Sequence, residues 1–439
     1  MLIFVGHKKF VHKLKTESHF MKKIFRSLLP CFFFLAGFLG SVSLCAQQSG
    51  SFSYISSGGI SLSQNDTIHP KTRSWSKRGV TFGTIGSLEG YYNFAGGIQT
   101  GSAFSALLDA NMNVDLEKLL GWKRGTFYVD FEYHGGDNPT SKLVGDLQVF
   151  DKNNADPFFE TLEIWYQQLL FDKKLRIKLG KVDANTEFSV IDNGLGFINS
   201  PTQVTPAFPV FPTFPDPMPG ITLFFNPNHL FFADFALYQA NQSTHFLNFY
   251  GDPSSAQMSL HGQLFIVESG LNWDQLPWLN HSGNFKLGVW KHNGYFDDFS
   301  GGREHGLSGI YLIFDQTLWK SLQKNDQRSV RMFLEYGLTD AKVSAIYRHY
   351  GGGVVLTAPF RARPDDEMGL SIQNADISSG LQVPQKYELD FEGYYQFSLV
   401  KGINFKPDFQ YVVHPGGVYH NAFVSTFMLN YSFPADNGN

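Results

Sequence analysis

The feature that most constrains this chain is a two-residue alternation of apolar and polar side chains. It recurs in segments of about ten residues, each ended by Gly, Asn, Asp or Pro, from Gly79 to Phe433. Thr126 to Tyr133 shows it most clearly. Phe127, Val129, Phe131 and Tyr133 share one face, while Thr126, Asp130 and Glu132 lie on the other, joined by Tyr128. The run Lys174 to Leu179 repeats the pattern with three cations on its polar face. One such segment fits a half-buried soluble sheet equally well, so the number of segments decides. Further segments run over 82–94, 104–116, 160–171, 230–239, 263–273, 285–292, 307–319, 330–339, 343–350, 386–399, 403–413 and 423–433. With weaker ones at 221–225 and 354–358 the total is about sixteen, the even count of a closed antiparallel barrel. Asp115–Leu120 is read as at most one short helical turn.

Composition agrees with a barrel in lipid. Aromatic residues make up 16% of the chain and Phe alone numbers 44, yet the mean hydropathy is only −0.17. Alternation reconciles these figures, because apolar groups face lipid and polar groups face the lumen residue by residue. The expected fold is therefore all-β, a closed antiparallel transmembrane β-barrel of about 16 strands with long extracellular or inward-folded loops.

The N-terminus reads as an export signal. A basic segment, Met21 to Arg26, precedes an apolar run from Leu28 to Leu44, and polar Gln47-Gln48-Ser49-Gly50 follows at once. Met21 is taken as the true start and Ala46 as the last residue removed. Cys45, after Val42-Ser43-Leu44, leaves a lipid-anchored alternative. Both cysteines, Cys31 and Cys45, fall within this segment, so the mature chain has none and needs no disulfide framework. It retains 28 Lys and Arg against 38 Asp and Glu, a net charge of −10 that disfavours nucleic acid as a partner. No later segment holds 18 consecutive apolar residues, which excludes a transmembrane helix. The expected organisation is 1–46 signal and extension, 47–78 Ser/Gly-rich periplasmic lead-in, 79–433 barrel and 434–439 tail.

Several stretches carry a likeness to known proteins. They are Glu163-Ile164-Trp165-Tyr166-Gln167-Gln168, the turn Gly180-Lys181-Val182-Asp183-Ala184-Asn185-Thr186-Glu187-Phe188, and Phe197-Ile198-Asn199-Ser200. Gly309 to Gln316 and Phe409 to Gly417, which ends His414-Pro415-Gly416-Gly417, complete the series. In order and spacing this resembles the OprB-type carbohydrate-selective porins over nearly the whole mature chain. The resemblance implies a 16-stranded barrel, passive uptake of glucose or related sugars, no catalytic residue and, weakly, a monomer. The closing strand, with Phe423, Phe427, Leu429, Tyr431 and Phe433 on one face, resembles the aromatic-ending strand that barrel-insertion machinery reads in outer-membrane proteins.

A sugar offers apolar C–H faces and many hydroxyls, so a selective pore needs rings for the one and charged or amide groups for the other. Candidates of the second kind are Lys181, Asp183, Asn185 and Glu187 in the turn after 174–179. A self-satisfied turn is the competing reading, with Asp183 and Asn185 bonding local backbone. Arg176 and Lys178 join them from the polar face of that strand, since a cation facing lipid at midplane costs about 2–4 kcal/mol. Arg331, Glu335, Arg348 and Glu392 fit the same description. Pro201 to Pro219 holds seven prolines in nineteen residues, so it is a stiff loop and not a strand. Its Phe208, Phe211 and Phe214 either narrow the lumen or cap its mouth. The loop from Gly135 to Gln148 is a second candidate for inward folding. Trp75, Trp165, Trp273, Trp278, Trp290 and Trp319 read as girdle residues at the membrane interfaces, with a solute-facing position as the competing reading for Trp165.

An enzyme is disfavoured. There is no Gly-x-Ser-x-Gly elbow and no His-Glu-x-x-His, the eleven histidines beyond residue 46 are scattered, and no cofactor or metal ligands are singled out. The expected localisation is the bacterial outer membrane, and the expected partners are small carbohydrates, outer-membrane lipid and the insertion machinery. Monomer and homotrimer both stay open. The competing functions are a general diffusion porin without sugar preference and a non-conducting adhesin or binding barrel.

Overall fold

In the computed structural model the described residues are 75–239, 248–250, 262–275, 281–323 and 326–433. The readings made for 1–46, for 47–74, for Trp278 and for 434–439 lie outside them. The first strands are β1 (Val80–Gly97), β2 (Gly101–Asp115), β3 (Gly125–Gly136), β4 (Phe158–Leu170), β5 (Leu175–Val182) and β6 (Met218–Phe225). Next come β7 (Phe231–Gln239), the short β8 (Asn248–Tyr250), β9 (Gln263–Trp273), β10 (Gly283–Asp297), β11 (Arg303–Lys320) and β12 (Ser329–Thr339). The last five are β13 (Ile346–Thr357), β14 (Glu367–Ile377), β15 (Tyr387–Val400), β16 (Ile403–Val413) and β17 (His420–Phe433). Each pairs antiparallel with its neighbour in sequence, except that β8 lies on β4 and β7 pairs directly with β9. β1 pairs with both β2 and β17, from Thr84 opposite Phe433 to Gly97 opposite His420, so the ladder closes on itself. The result is a closed barrel of sixteen spanning strands with no free edge.

The alternation read from sequence becomes the two sides of the wall. On β10, Lys286, Trp290, His292 and Phe296 are buried toward the lumen while Phe285, Leu287, Val289 and Tyr295 are exposed on the outside. Asp115 caps the five-residue helix α1 (Leu116–Leu120), accepting from the amides of Glu117 at 3.0 Å and Lys118 at 3.1 Å. Gly121, at φ 75°, ends it.

Two expectations about strands need correction, and they offset each other in the total. The segments 343–350 and 354–358 are one strand, β13, running through Gly351-Gly352-Gly353. These glycines look like a break but answer to crowding. A Cβ on Gly351 would stand 1.4 Å from the Gln373 side-chain oxygen, and one on Gly353 2.6 Å from the Phe333 ring. The strand missed is β14, whose lipid-facing Leu370 and Ile372 alternate with small or polar Gly369, Ser371 and Gln373.

Candidate functional site

Two long loops fold into the lumen, 137–157 after β3 and 183–217 after β5. A loop inside a barrel leaves the water that normally satisfies its backbone, so the wall must supply acceptors. Five carboxylates on four strands do this. Glu163 accepts from the Asp183 amide at 2.9 Å and Glu268 from Ser189 at 2.8 Å. Asp315 takes Asp192 at 3.2 Å and Asn193 at 2.8 Å, and Glu392 takes Ile198 at 2.7 Å and Asn199 at 3.3 Å. Glu388 holds the other loop through Leu147 at 2.9 Å and Gln148 at 2.8 Å. Lys286 donates to the Val190 carbonyl at 2.6 Å, and Lys406 to that of Gly196 at 2.5 Å. Lys152 joins the two loops, donating from Nζ to the carbonyls of Leu195 at 3.2 Å and Phe197 at 3.0 Å. Burial pulls the Lys152 ammonium down to about 8 despite Glu392, Asp151 and Glu89 nearby.

The residues singled out from sequence gather where the second loop leaves the wall. Arg176 makes a two-pronged bond to Glu187, at 2.7 and 2.6 Å, with its guanidinium 3.6 Å from the centre of the Phe224 ring. Lys178 pairs with the same carboxylate and lies 4.2 Å from the Trp165 ring centre. Burial alone would raise the Glu187 carboxyl, but Lys178 and Arg176 outweigh it and hold it below its usual range. Lys181 bonds Glu160 at 3.1 Å and the Thr161 carbonyl at 2.9 Å. Asp183 accepts from the amides of Asn185 at 2.7 Å and Phe214 at 3.2 Å, and Asn185 donates to the Gln203 carbonyl at 3.0 Å. These two therefore close their own turn and tie its ends together.

The proline-rich segment crosses the lumen. Phe208 stacks on Trp290 with ring centres 4.2 Å apart and planes 6° apart, and Phe211 packs on Phe208 at 4.6 Å. Phe214 lies against Phe158 at 5.9 Å. Thr205 fits over Gly337, where a Cβ would come within 2.1 Å of its hydroxyl. Trp165 and Trp290 are thus lumenal, contrary to the girdle reading; Trp75 and Trp319 are exposed. Arg348 also departs from expectation. It alternates with buried His349, faces outward, and pairs across the wall with Asp376.

The family model described as "Carbohydrate-selective porin, OprB family" matches residues 100–433. The chain belongs to the OprB family of carbohydrate-selective porins. This OprB-family chain is a porin of the outer membrane, a non-enzymatic channel. It is similar to Porin B of Pseudomonas aeruginosa, 22% identical over 357 residues that take in 70% of this chain and 76% of that protein. A high-pH structure of Pseudomonas putida OprB shares the fold, with a TM-score of 0.71 at 19% identity over 83% of this chain and 96% of that one. A low-pH structure of the same protein gives 0.53 at 18% identity, over 81% and 93%.

This porin has a second charged cluster across the lumen. Arg331 donates to Glu367 at 2.6 Å, to the Thr357 hydroxyl at 3.0 Å and to the Asn193 side chain at 3.3 Å, and Tyr394 donates to Glu367 at 2.7 Å. Arg331 is among the residues read as pore-facing; Glu367 is not, because its strand went unrecognised. The usable signal was Leu370 and Ile372, two residues apart on a polar background.

Proposed function

We propose that this porin passes small, glucose-like carbohydrates by passive diffusion into the periplasm, with a preference set where the second inward loop narrows the lumen. In this reading Arg176 presents the polar side of the path, with Lys178, Lys181, Asp183, Asn185 and Glu187 packed behind it to fix its direction and the root of the loop, while Phe211 and Phe214 give the aromatic side over a buried Phe208. The observation that carries it is the pair of arginine–glutamate clusters facing the lumen. The Arg176 side chain is 25% exposed and that of Arg331 27%, so both side chains stay partly reachable while their partners fix their direction. Such groups replace a hydroxyl's water without holding the sugar for long. Residues 1–46 would direct export, the outward apolar belt would meet lipid, and β17 would present its aromatic end to the insertion machinery.

Planar-bilayer conductance of the mature chain, titrated with glucose, other monosaccharides and disaccharides, tests this. Saturable block by monosaccharide is expected, weakened several-fold by Lys181→Ala or Phe211→Ala. Conductance indifferent to sugar would mean a general diffusion porin. A folded barrel that does not conduct would point to an adhesin.

A further inference from the structure

The wall formed by β2, β3 and β4 carries more buried carboxylates than its cations match. Asp109 on β2 stands directly opposite Glu132 on β3, and Asp130 stands directly opposite Glu163 on β4. Like charges in facing positions destabilise a ladder unless something lies between them. The nearby cations are engaged elsewhere, Lys181 with Glu160 at 3.1 Å and Lys178 with Glu187. Among the described residues no ion pair reaches Asp109, Asp130 or Glu132.

Carboxylate oxygens of Asp109, Asp130 and Glu132 lie within 4.8 Å of one another. Oxygens bound to one calcium ion at about 2.3–2.6 Å stand at most about 5 Å apart, so this spacing suits a shared ion. A second observation comes from outside the trio. Glu163, 1% exposed, has one oxygen on the Asp183 amide while the other has no hydrogen-bond partner, and it faces Asp130 across the ladder. One oxygen each of Asp130 and Glu132, 1% and 4% exposed, also lacks a partner. Asn111 donates to Asp109 at 3.1 Å and fixes its direction.

We propose that Asp109, Asp130 and Glu132, with Glu163 beside them, bind a hard divalent cation, calcium, on the lumenal wall. An all-oxygen set without His or Cys selects a hard ion. Calcium suits it better than magnesium, because carboxylates fixed by a strand ladder do not form the near-ideal octahedron that magnesium demands. The ion fastens β2 to β3 and cancels charge beside the root of the second inward loop. It is independent of which sugar passes.

Terbium serves as the probe, since Tyr128 sits two residues from Asp130 on the same face and stacks on Trp165 at 4.8 Å, close enough to sensitise its emission. The full mature chain, folded in detergent free of lipopolysaccharide and stripped with chelator, is titrated with terbium and then competed with calcium or magnesium. Saturable emission is expected, displaced at least tenfold better by calcium. Asp130→Asn and Asp109→Asn should each weaken binding at least tenfold, whereas Asp408→Asn on β16 should not. Emission that is absent, or equal in these variants and the parent, overturns the site. Should both Asn variants fail to fold, the parent's melting temperature decides. A rise with micromolar calcium, and none with sodium chloride of equal ionic strength, supports the site; no calcium-specific rise overturns it.

Discussion

Glu187 concentrates the residue-scale argument, because two cations and the start of a loop depend on one carboxylate. Its side chain is 4% exposed and that of Lys178 1%, so removing the charge strands a buried ammonium, at a cost of about 3–5 kcal/mol. Its carboxyl is held below the usual range, so the stability it adds is full above the unfolded value of about 4.3 and is lost as pH falls through the lower folded value. Glu187→Gln should therefore melt lower at pH 6 and lose less further stability than the parent between pH 5 and pH 3. Equal acid slopes in both proteins would remove the ion pair from the explanation. Alternation alone placed Arg176 and Lys178 on the lumenal face. Their shared partner was not legible, because it depends on how the chain turns back after Val182. Nor was the stacking of Phe208 on Trp290, two rings brought together only by a loop crossing the lumen.

Elements were legible in proportion to how strongly one face had to meet lipid. β10, with Phe285, Leu287, Val289 and Tyr295 outside, announced itself; β14, with only Leu370 and Ile372 strongly exposed, did not. The inward loops were half legible. Proline density excluded a strand at 201–219, but nothing local says that a loop turns inward, since its anchors are carboxylates on distant strands. Asp315, like Glu388 and Glu392, accepts two consecutive loop amides. Bonds to a charged acceptor contribute about 1.5–3 kcal/mol each, enough to hold a loop against thermal motion. Asp315→Ala should leave the barrel folded while the open-channel current becomes noisier and sugar block weakens. A current as quiet as the parent's would show that the other anchors suffice.

At the scale of the whole molecule, the ladder and the lumen filling are separable. The ladder closes through β1 and β17 by strand-to-strand pairing. The lumen holds an apolar cluster in which Phe188, Ile191, Phe197, Phe208 and Val210 of the second loop pack against wall residues such as Trp290, Tyr311, Phe333 and Tyr394. That cluster adds stability, but it does not close the barrel. β5 and β6 are also direct neighbours, with Val182 opposite Met218, so the loop between them leaves and rejoins the wall at one place. Replacing residues 184–216 by an Asn-Gly turn should thus give a plain hairpin, whose two-residue connection suits antiparallel strands. The expected product migrates as a folded barrel in unheated detergent gels and melts below the parent for want of the lumenal cluster. It also conducts several-fold better and is no longer blocked by sugar. If conductance stays at the parent's level, the constriction lies elsewhere. If the barrel fails to form, the lumenal cluster is part of folding itself, and wall and filling are one cooperative unit.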